Sequence, residues 1–231
     1  LIIYYNKLMN FVQVAIPSPL RQTFTYKNQF SSNLVGKRVL VEFGRRKLVG
    51  IVTSQSENFD DDYKLKQIEE VLDDSPLIDK QLLKKIINIS DYYMHPIGIV
   101  FESFIPSFLR KAKHQKTLEK YEIKINSDET FNNLHTLTRD QKNVLNSIKF
   151  KDSGEILLSG ITSSGKTEVY KHFIKELLNK GKSALVLVPE IFLTPQIFND
   201  FQNTFGNKVL LNHSGLTPIQ RIKVWLSLIH I

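Results

Sequence analysis

The sequence predicts an α/β chain: a phosphate-loop domain with a parallel sheet, preceded by a small, mainly β module and a short helical segment. Three observations predict it. An apolar run (Ile156, Leu157, Leu158) enters Gly-x-x-x-x-Gly-Lys-Thr from Gly160 to Thr167, and a helical pattern follows. From there strand and helix patterns alternate, the order of a parallel sheet covered on both faces. Between Asn10 and Leu72, by contrast, short apolar runs broken by Pro and Gly are the signals of strands.

In chain order, Leu1–Tyr5 is apolar but too short for a membrane span, and no basic segment precedes it. Met9 is the expected start, with residues 1–8 a non-native leader. Phe11, Val12, Val14 and Ile16 form a strand pattern that ends at Pro17 and Pro19. Phe24-Thr25-Tyr26 is a second. Gly36-Lys37-Arg38-Val39-Leu40-Val41-Glu42-Phe43-Gly44 alternates between two glycines, Arg45-Arg46-Lys47 makes a basic tip, and Leu48–Val52 returns as the partner strand. Such a tip fits edge charges that keep a sheet soluble, and equally a grip on phosphate backbones.

From Asp79, an expected N-cap, the period becomes helical, with Leu82, Ile86, Ile89 and Tyr93 on one face. Pro96-Ile97-Gly98 breaks that helix, and an apolar run continues to Pro106. The Tyr92-Tyr93-Met94-His95 stripe reads as core rather than as a ligand set. Residues 111–134 read as a linker with one strand over 121–125, and the basic run Arg110–Lys116 as a solvated segment. Thr138-Arg139-Asp140-Gln141 is a capping box opening a helix with Val144, Leu145 and Ile148. After the phosphate loop, Val169, Phe173 and Leu177 share a helix face that Gly181 ends. Ala184–Val188 is the next strand, Thr194-Pro195 starts a helix carrying Ile197, Phe201 and Phe205, residues 208–211 form a third strand, and Thr217-Pro218 opens a last helix with Ile222, Trp225 and Ile229. The expected divisions are 9–72 (β module), 73–110 (helical), 111–134 (linker) and 135–231 (α/β).

The loop's residue types follow from its chemistry. Gly160 and Gly165 let the backbone wrap a polyphosphate closely, its N–H groups point inward, and the helix N-terminus adds partial positive charge. Lys166 is then the group for the β- and γ-phosphates and Thr167 the hydroxyl for Mg²⁺. The bare pattern also fits a Gly/Ser surface turn, but the strand before it and the helix after it favour a nucleotide. Across the chain of 231 residues the formal net charge is +8, which favours a polyanionic partner. No cysteine is present, which excludes disulfides, thiol catalysis and cysteine zinc sites and fits a reducing, cytoplasmic setting.

Several segments together resemble the PriA family of replication-restart proteins. Gly160–Tyr170, the run Leu187-Val188-Pro189-Glu190-Ile191-Phe192-Leu193-Thr194-Pro195-Gln196, and His213-Ser214-Gly215-Leu216 with Arg221 and Trp225 are similar to its first three motor motifs. Pro19-Leu20, Phe24-Thr25-Tyr26, Gly36–Val39 and Phe43-Gly44-Arg45 resemble its 3′-end DNA-binding module, and Tyr92-Tyr93, His95–Gly98 and Pro106 the segment after it. The resemblance implies a superfamily 2, ATP-dependent, 3′-to-5′ DNA helicase of primosome assembly, here an N-terminal fragment whose RecA-like first lobe is truncated. It implies that Gly160, Ile161, Thr162, Ser163, Ser164, Gly165, Lys166, Thr167 and Glu168 hold ATP, with Lys166 and Thr167 catalytic, Thr167 on Mg²⁺ and Gln141 on the adenine. Phe24, Thr25, Tyr26, Gly36, Lys37, Arg38 and Arg45 are implied at a DNA 3′ end. Glu190, Thr194, His213, Ser214 and Gly215 are implied along the single strand. Forked or single-stranded DNA, primosome proteins and single-strand-binding protein are the implied partners, and no membrane.

The sequence departs from the family in five respects. Thr25 stands where well-known members carry an acidic residue. Residues 111–134 are too few for a winged-helix module. No D-E-x-H motif occurs, and the cysteine zinc module and second lobe are expected only beyond Ile231. The expectation is therefore an ATPase and helicase as the parent, with this chain binding nucleotide weakly and turning over essentially none. A rival from another class is a non-hydrolysing DNA-fork or 3′-end binding module. A small-molecule phosphate-loop kinase is a third, but it leaves the basic β module without a role.

Overall fold

The computed structural model describes residues 11–30, 32–58, 64–113, 118, 121, 131, 134–148, 154–161, 164–188 and 194–229. They belong to two compact units, one of Leu1–Ile123 with Leu216–Ile231 and one of Lys124–Gly215.

The first unit is built on one antiparallel sheet. Its strands are β1 (Phe11–Ala15), β2 (Phe24–Lys27), β3 (Arg38–Phe43), β4 (Arg46–Ser56) and β5 (Ile68–Val71), in the order β2-β1-β4-β3-β5. β3 and β4 form the predicted hairpin, with Phe43 opposite Arg46 across a two-residue turn whose first residue, Gly44, takes φ +60°. That is a glycine position in a tight hairpin. The predicted basic tip is thus shorter than the sequence suggests, because Arg46 and Lys47 are already in β4. The sheet curls until its outer strands approach: Lys27 and Gln67 form a parallel bridge, and Lys27 N–H donates to the Lys66 carbonyl at 2.9 Å.

Alternation along the strands sorts the side chains onto two faces. Val12, Val14, Tyr26, Leu34, Val39, Val41 and Ile68 fill one core. The other face is covered by α1 (Lys80–Tyr92), α2 (Ile97–Phe104) and a 3-10 turn over Ser107–Arg110. Asp79 caps α1 as expected, its carboxylate accepting from Leu82 N–H at 2.7 Å. α2 lies very close to the end of β1, since a methyl group on Gly98 would sit 1.7 Å from the Ile16 carbonyl oxygen. α6 (Pro218–Ile229) completes this core: Ile222 and Leu226 are buried with Ile86, Phe101, Leu109 and Leu118, and the Trp225 indole donates to the Phe104 carbonyl at 2.9 Å.

The second unit contributes α3 (Arg139–Ser147), α4 (Lys166–Asn179) and α5 (Thr194–Phe205). The Thr138–Gln141 capping box is present at the start of α3. Ile174 of α4 is buried with Phe201 and Phe205 of α5. The predicted parallel sheet is not formed among the described residues. Ile156–Leu158, Ala184–Val188 and residues 209–211 pair with no strand, and Leu157, Leu185 and Leu187 are 94%, 84% and 82% exposed. A parallel strand is held by neighbours that share its N–H and C=O groups and by helices on both faces. None of these three runs has such a neighbour here. The strand expected over 121–125 and most of the predicted linker lie outside the described residues. No helix of the described residues is long and apolar enough to cross a membrane.

Candidate nucleotide and nucleic-acid sites

The phosphate loop closes onto α4. Gly165 is the N-cap, at φ +78°, a left-handed angle that a side chain would strain. No side chain caps this helix, so none competes with an anion for its first N–H groups, although Glu168 N–H already donates to the Gly165 carbonyl at 3.0 Å. The Lys166 ammonium donates to the carbonyls of Gly160 and Ile161, each at 2.7 Å. It also lies 3.5 Å from the Ser164 hydroxyl, so the cation is folded over its own loop. Gln141 reaches the loop from α3: its Nε2 donates to the Ser164 carbonyl at 3.2 Å while its Oε1 accepts from Thr138 N–H at 2.9 Å. Thr167 is exposed. These groups fit a nucleotide with its metal: a glycine cap, a helix N-terminus with no capping side chain, an ammonium beside the loop and an exposed hydroxyl.

Glu168, expected at the nucleotide, is tied to other partners. Its carboxylate accepts from His135 N–H at 2.8 Å and lies 3.7 Å from the His172 ring and 3.8 Å from the Lys171 ammonium. Lys171 is 3% exposed and pairs with Asp200 of α5 at 2.5 Å. No sequence signal marked that link, because its partners are far apart in the chain. Thr162, Ser163 and Glu190 lie outside the described residues, and Thr194 is the first residue of α5. His213 and Gly215 share a local turn in which Nδ1 accepts from Gly215 N–H at 3.1 Å, and Ser214 is exposed beside them.

In the first unit, the residues expected at DNA separate into two groups. Phe24 stacks edge-on against Phe43, ring centres 4.7 Å apart. The Tyr26 hydroxyl donates to the Glu42 carbonyl at 3.0 Å, and Lys66 donates to the Glu42 carboxylate at 2.7 Å and to the Gly44 carbonyl at 3.1 Å. Thr25 accepts from the Gln13 amide at 2.9 Å, and Arg45 is exposed on the turn. Burial, and then the Glu42 charge, push the Tyr26 phenol up to about 12, and the Lys66 hydrogen bond holds the Glu42 carboxyl below the ordinary range. The β2 aromatics therefore gather at the Gly44 end of β3, with Glu42, Phe43 and Lys66. The sequence pointed there only through Phe43-Gly44-Arg45.

Gly36, Lys37 and Arg38 sit at the other end of β3, about 17 Å away at strand spacing. All three are buried, and both cationic side chains turn inward. Lys37 donates to the Asp74 carbonyl at 2.8 Å. Arg38 is 0% exposed, pairs with Asp73 at 2.5 Å, and donates to the carbonyls of Leu109 at 2.9 Å and Lys113 at 3.1 Å. These two cations were expected on DNA; both side chains are buried here, Arg38 on the Asp73 carboxylate and Lys37 on the Asp74 carbonyl.

Two family models match the chain: the 3′DNA-binding domain (3′BD) over residues 13–106, and the Type III restriction enzyme, res subunit, over residues 103–227. Curated relatives carry the name replication restart protein PriA. The one from Treponema pallidum is 30% identical over 93% of this chain and 33% of its own length, and that from Haemophilus influenzae 29% identical over 94% and 40%. The one from Bacillus subtilis is 52% identical over 30% of this chain and 9% of its own length. The chain spans about a third of the length of the first relatives it matches.

Proposed function

The chain belongs to the family of the replication restart protein PriA, and from that premise we propose that it serves an ATP-dependent, 3′-to-5′ DNA helicase acting at forked DNA. In this reading the first unit receives a DNA 3′ end and the second supplies the phosphate cradle of the motor. The gathering of Phe24, Phe43, Gly44 and Lys66 at one tip, inside the residues matched by the 3′DNA-binding model, is the observation that carries it. The exposed edge of the Phe24–Phe43 pair takes the terminal base, and Lys66 and Arg45 take the adjoining phosphate. Tyr26, bolted to the Glu42 carbonyl, holds β2 against the tip.

ATP with Mg²⁺ supplies the free energy of the motor. Lys166 receives the phosphates once its ammonium leaves the Gly160 and Ile161 carbonyls, Thr167 holds the metal, and Gln141 faces the adenine while still touching the loop. Hydrolysis also needs a metal-holding carboxylate, a group that positions water and an arginine. The 231 residues contain no D-E-x-H motif, so this chain binds nucleotide weakly and does not turn it over. Primosome proteins and single-strand-binding protein belong to the same proposal.

A second reading, a 3′-end binding module that ignores ATP, is favoured by one observation: Lys166 is already satisfied by its own loop. Anisotropy of a labelled partial duplex with a free 3′ end separates the two. We expect binding that a 3′-phosphate weakens, modulated by a non-hydrolysable ATP analogue in the wild type and not in Lys166→Ala. Nucleotide-independent binding selects the second reading, and indifference to the 3′-phosphate removes 3′-end recognition from both.

A further inference from the structure

The helix-covered face of the sheet carries a groove that 3′-end recognition leaves unused. We propose that this groove takes an unstacked base from the interior of a single strand, with the flanking phosphates on Lys47, Arg110 and Lys111. The proposal rests on the reading that the chain binds DNA, but it needs no 3′ end.

The groove measures about 430 Å³, within the range of sites that hold small ligands. Leu40, Val49, Ile51, Phe101 and Ile105 make its lining largely apolar. It lies on the opposite face from Phe24 and Tyr26, which pack with Val39 and Val41, whereas the intervening Leu40 lines the groove. Three cations also line it, Lys47, Arg110 and Lys111; Lys47 is paired with Glu69 at 2.6 Å beside the groove and Arg110 lies 3.5 Å from Glu102, so a phosphate at Lys47 takes the place of Glu69. An apolar floor inside a cationic border is complementary to a base with its phosphates.

The border is also built. A basic run such as Arg110-Lys111-Ala112-Lys113 repels itself and is usually left to solvent. Here the fully buried Arg38 guanidinium holds the carbonyl just before the run, Leu109, and that of its last residue, Lys113. The Arg110 side chain is fixed on the Ile105 carbonyl at 3.0 Å, and the Lys113 ammonium sits 4.1 Å over the Phe108 ring. Lys111 makes no ion pair among the described residues. Fixing like charges in place costs free energy, which a bound polyanion offsets.

The test uses the 231-residue chain and a short oligothymidylate blocked by a 3′-phosphate, followed by anisotropy over a series of salt concentrations. The wild type is expected to bind it. Lys47→Glu and Lys111→Glu are each expected to weaken binding about tenfold and to flatten the logarithmic salt slope by roughly 0.7, one single-strand phosphate contact apiece. An abasic strand is expected to bind the wild type more weakly than the thymidylate, and Leu40→Asn is expected to erase that difference. No binding of the blocked strand, equal binding of abasic and normal strands, or salt slopes unchanged in both lysine variants overturns the proposal. The two readings fail separately. A wild type that binds only free 3′ ends loses the groove and keeps the tip, whereas one that binds blocked and free strands equally keeps the groove and loses the tip.

Discussion

Arg38 illustrates how one residue decides what its neighbours do. A charge with no access to water must be matched in full, and the guanidinium meets one carboxylate and two carbonyls. Removing one partner of such a pair leaves the other desolvated and alone, at a cost of about 3–5 kcal/mol. That is a large share of the stability of an ordinary domain. Arg38→Met is therefore expected to lower the urea midpoint of the first unit sharply. The double variant Arg38→Met, Asp73→Leu is expected to recover much of the loss, because neither charge of the pair then remains buried. A midpoint unchanged in the single variant contradicts this account. The burial was not legible in the sequence. Arg38 and Asp73 are 35 residues apart, and an Arg after Lys in a strand pattern reads as surface charge until its partner is seen.

At the level of elements, α2 comes very near the chain after β1. There the missing Cβ of Gly98 leaves room for the Ile16 carbonyl. Gly98→Ala is expected to force the helix outward and to cost roughly 1–3 kcal/mol, the usual penalty of overpacking. A thermal melt lowered by several degrees is the readout, and an unshifted melt contradicts it. Elements whose signals are local were legible: the β3–β4 hairpin, the Asp79 cap of α1 and the capping box of α3 all stand where periodicity and caps placed them. The parallel strands were not decidable from such signals. An apolar run records what it needs, which is neighbours on both sides, but not whether those neighbours are present. The tip of the sheet was half legible: Phe24 and Tyr26 were named, whereas Glu42 and Lys66 come from other strands or loops and are joined only by curvature.

At the scale of the whole molecule, the first unit is discontinuous, because α6 returns to it after the entire second unit has passed. The sequence placed that helix with the phosphate-loop lobe, and the family match over residues 103–227 also runs through it, while its side chains pack on the core of the first unit. One consequence is spectroscopic. Trp225, the single tryptophan, hydrogen-bonds the Phe104 carbonyl and so reports on the first unit. Its emission in urea is expected to change together with the β-sheet circular dichroism signal and to be unaffected by Lys166→Ala. A tryptophan transition that follows nucleotide binding instead contradicts this assignment. Another consequence concerns the order of synthesis. A ribosome delivers residues 11–109 early, yet the pocket left for Ile222 and Leu226 cannot close until the end of α6 has emerged. Closing it joins positions more than a hundred residues apart, a slow kind of contact to form. The nascent chain therefore exposes a patch of apolar core throughout the making of the second unit, and a chaperone that holds such patches has its longest opportunity there.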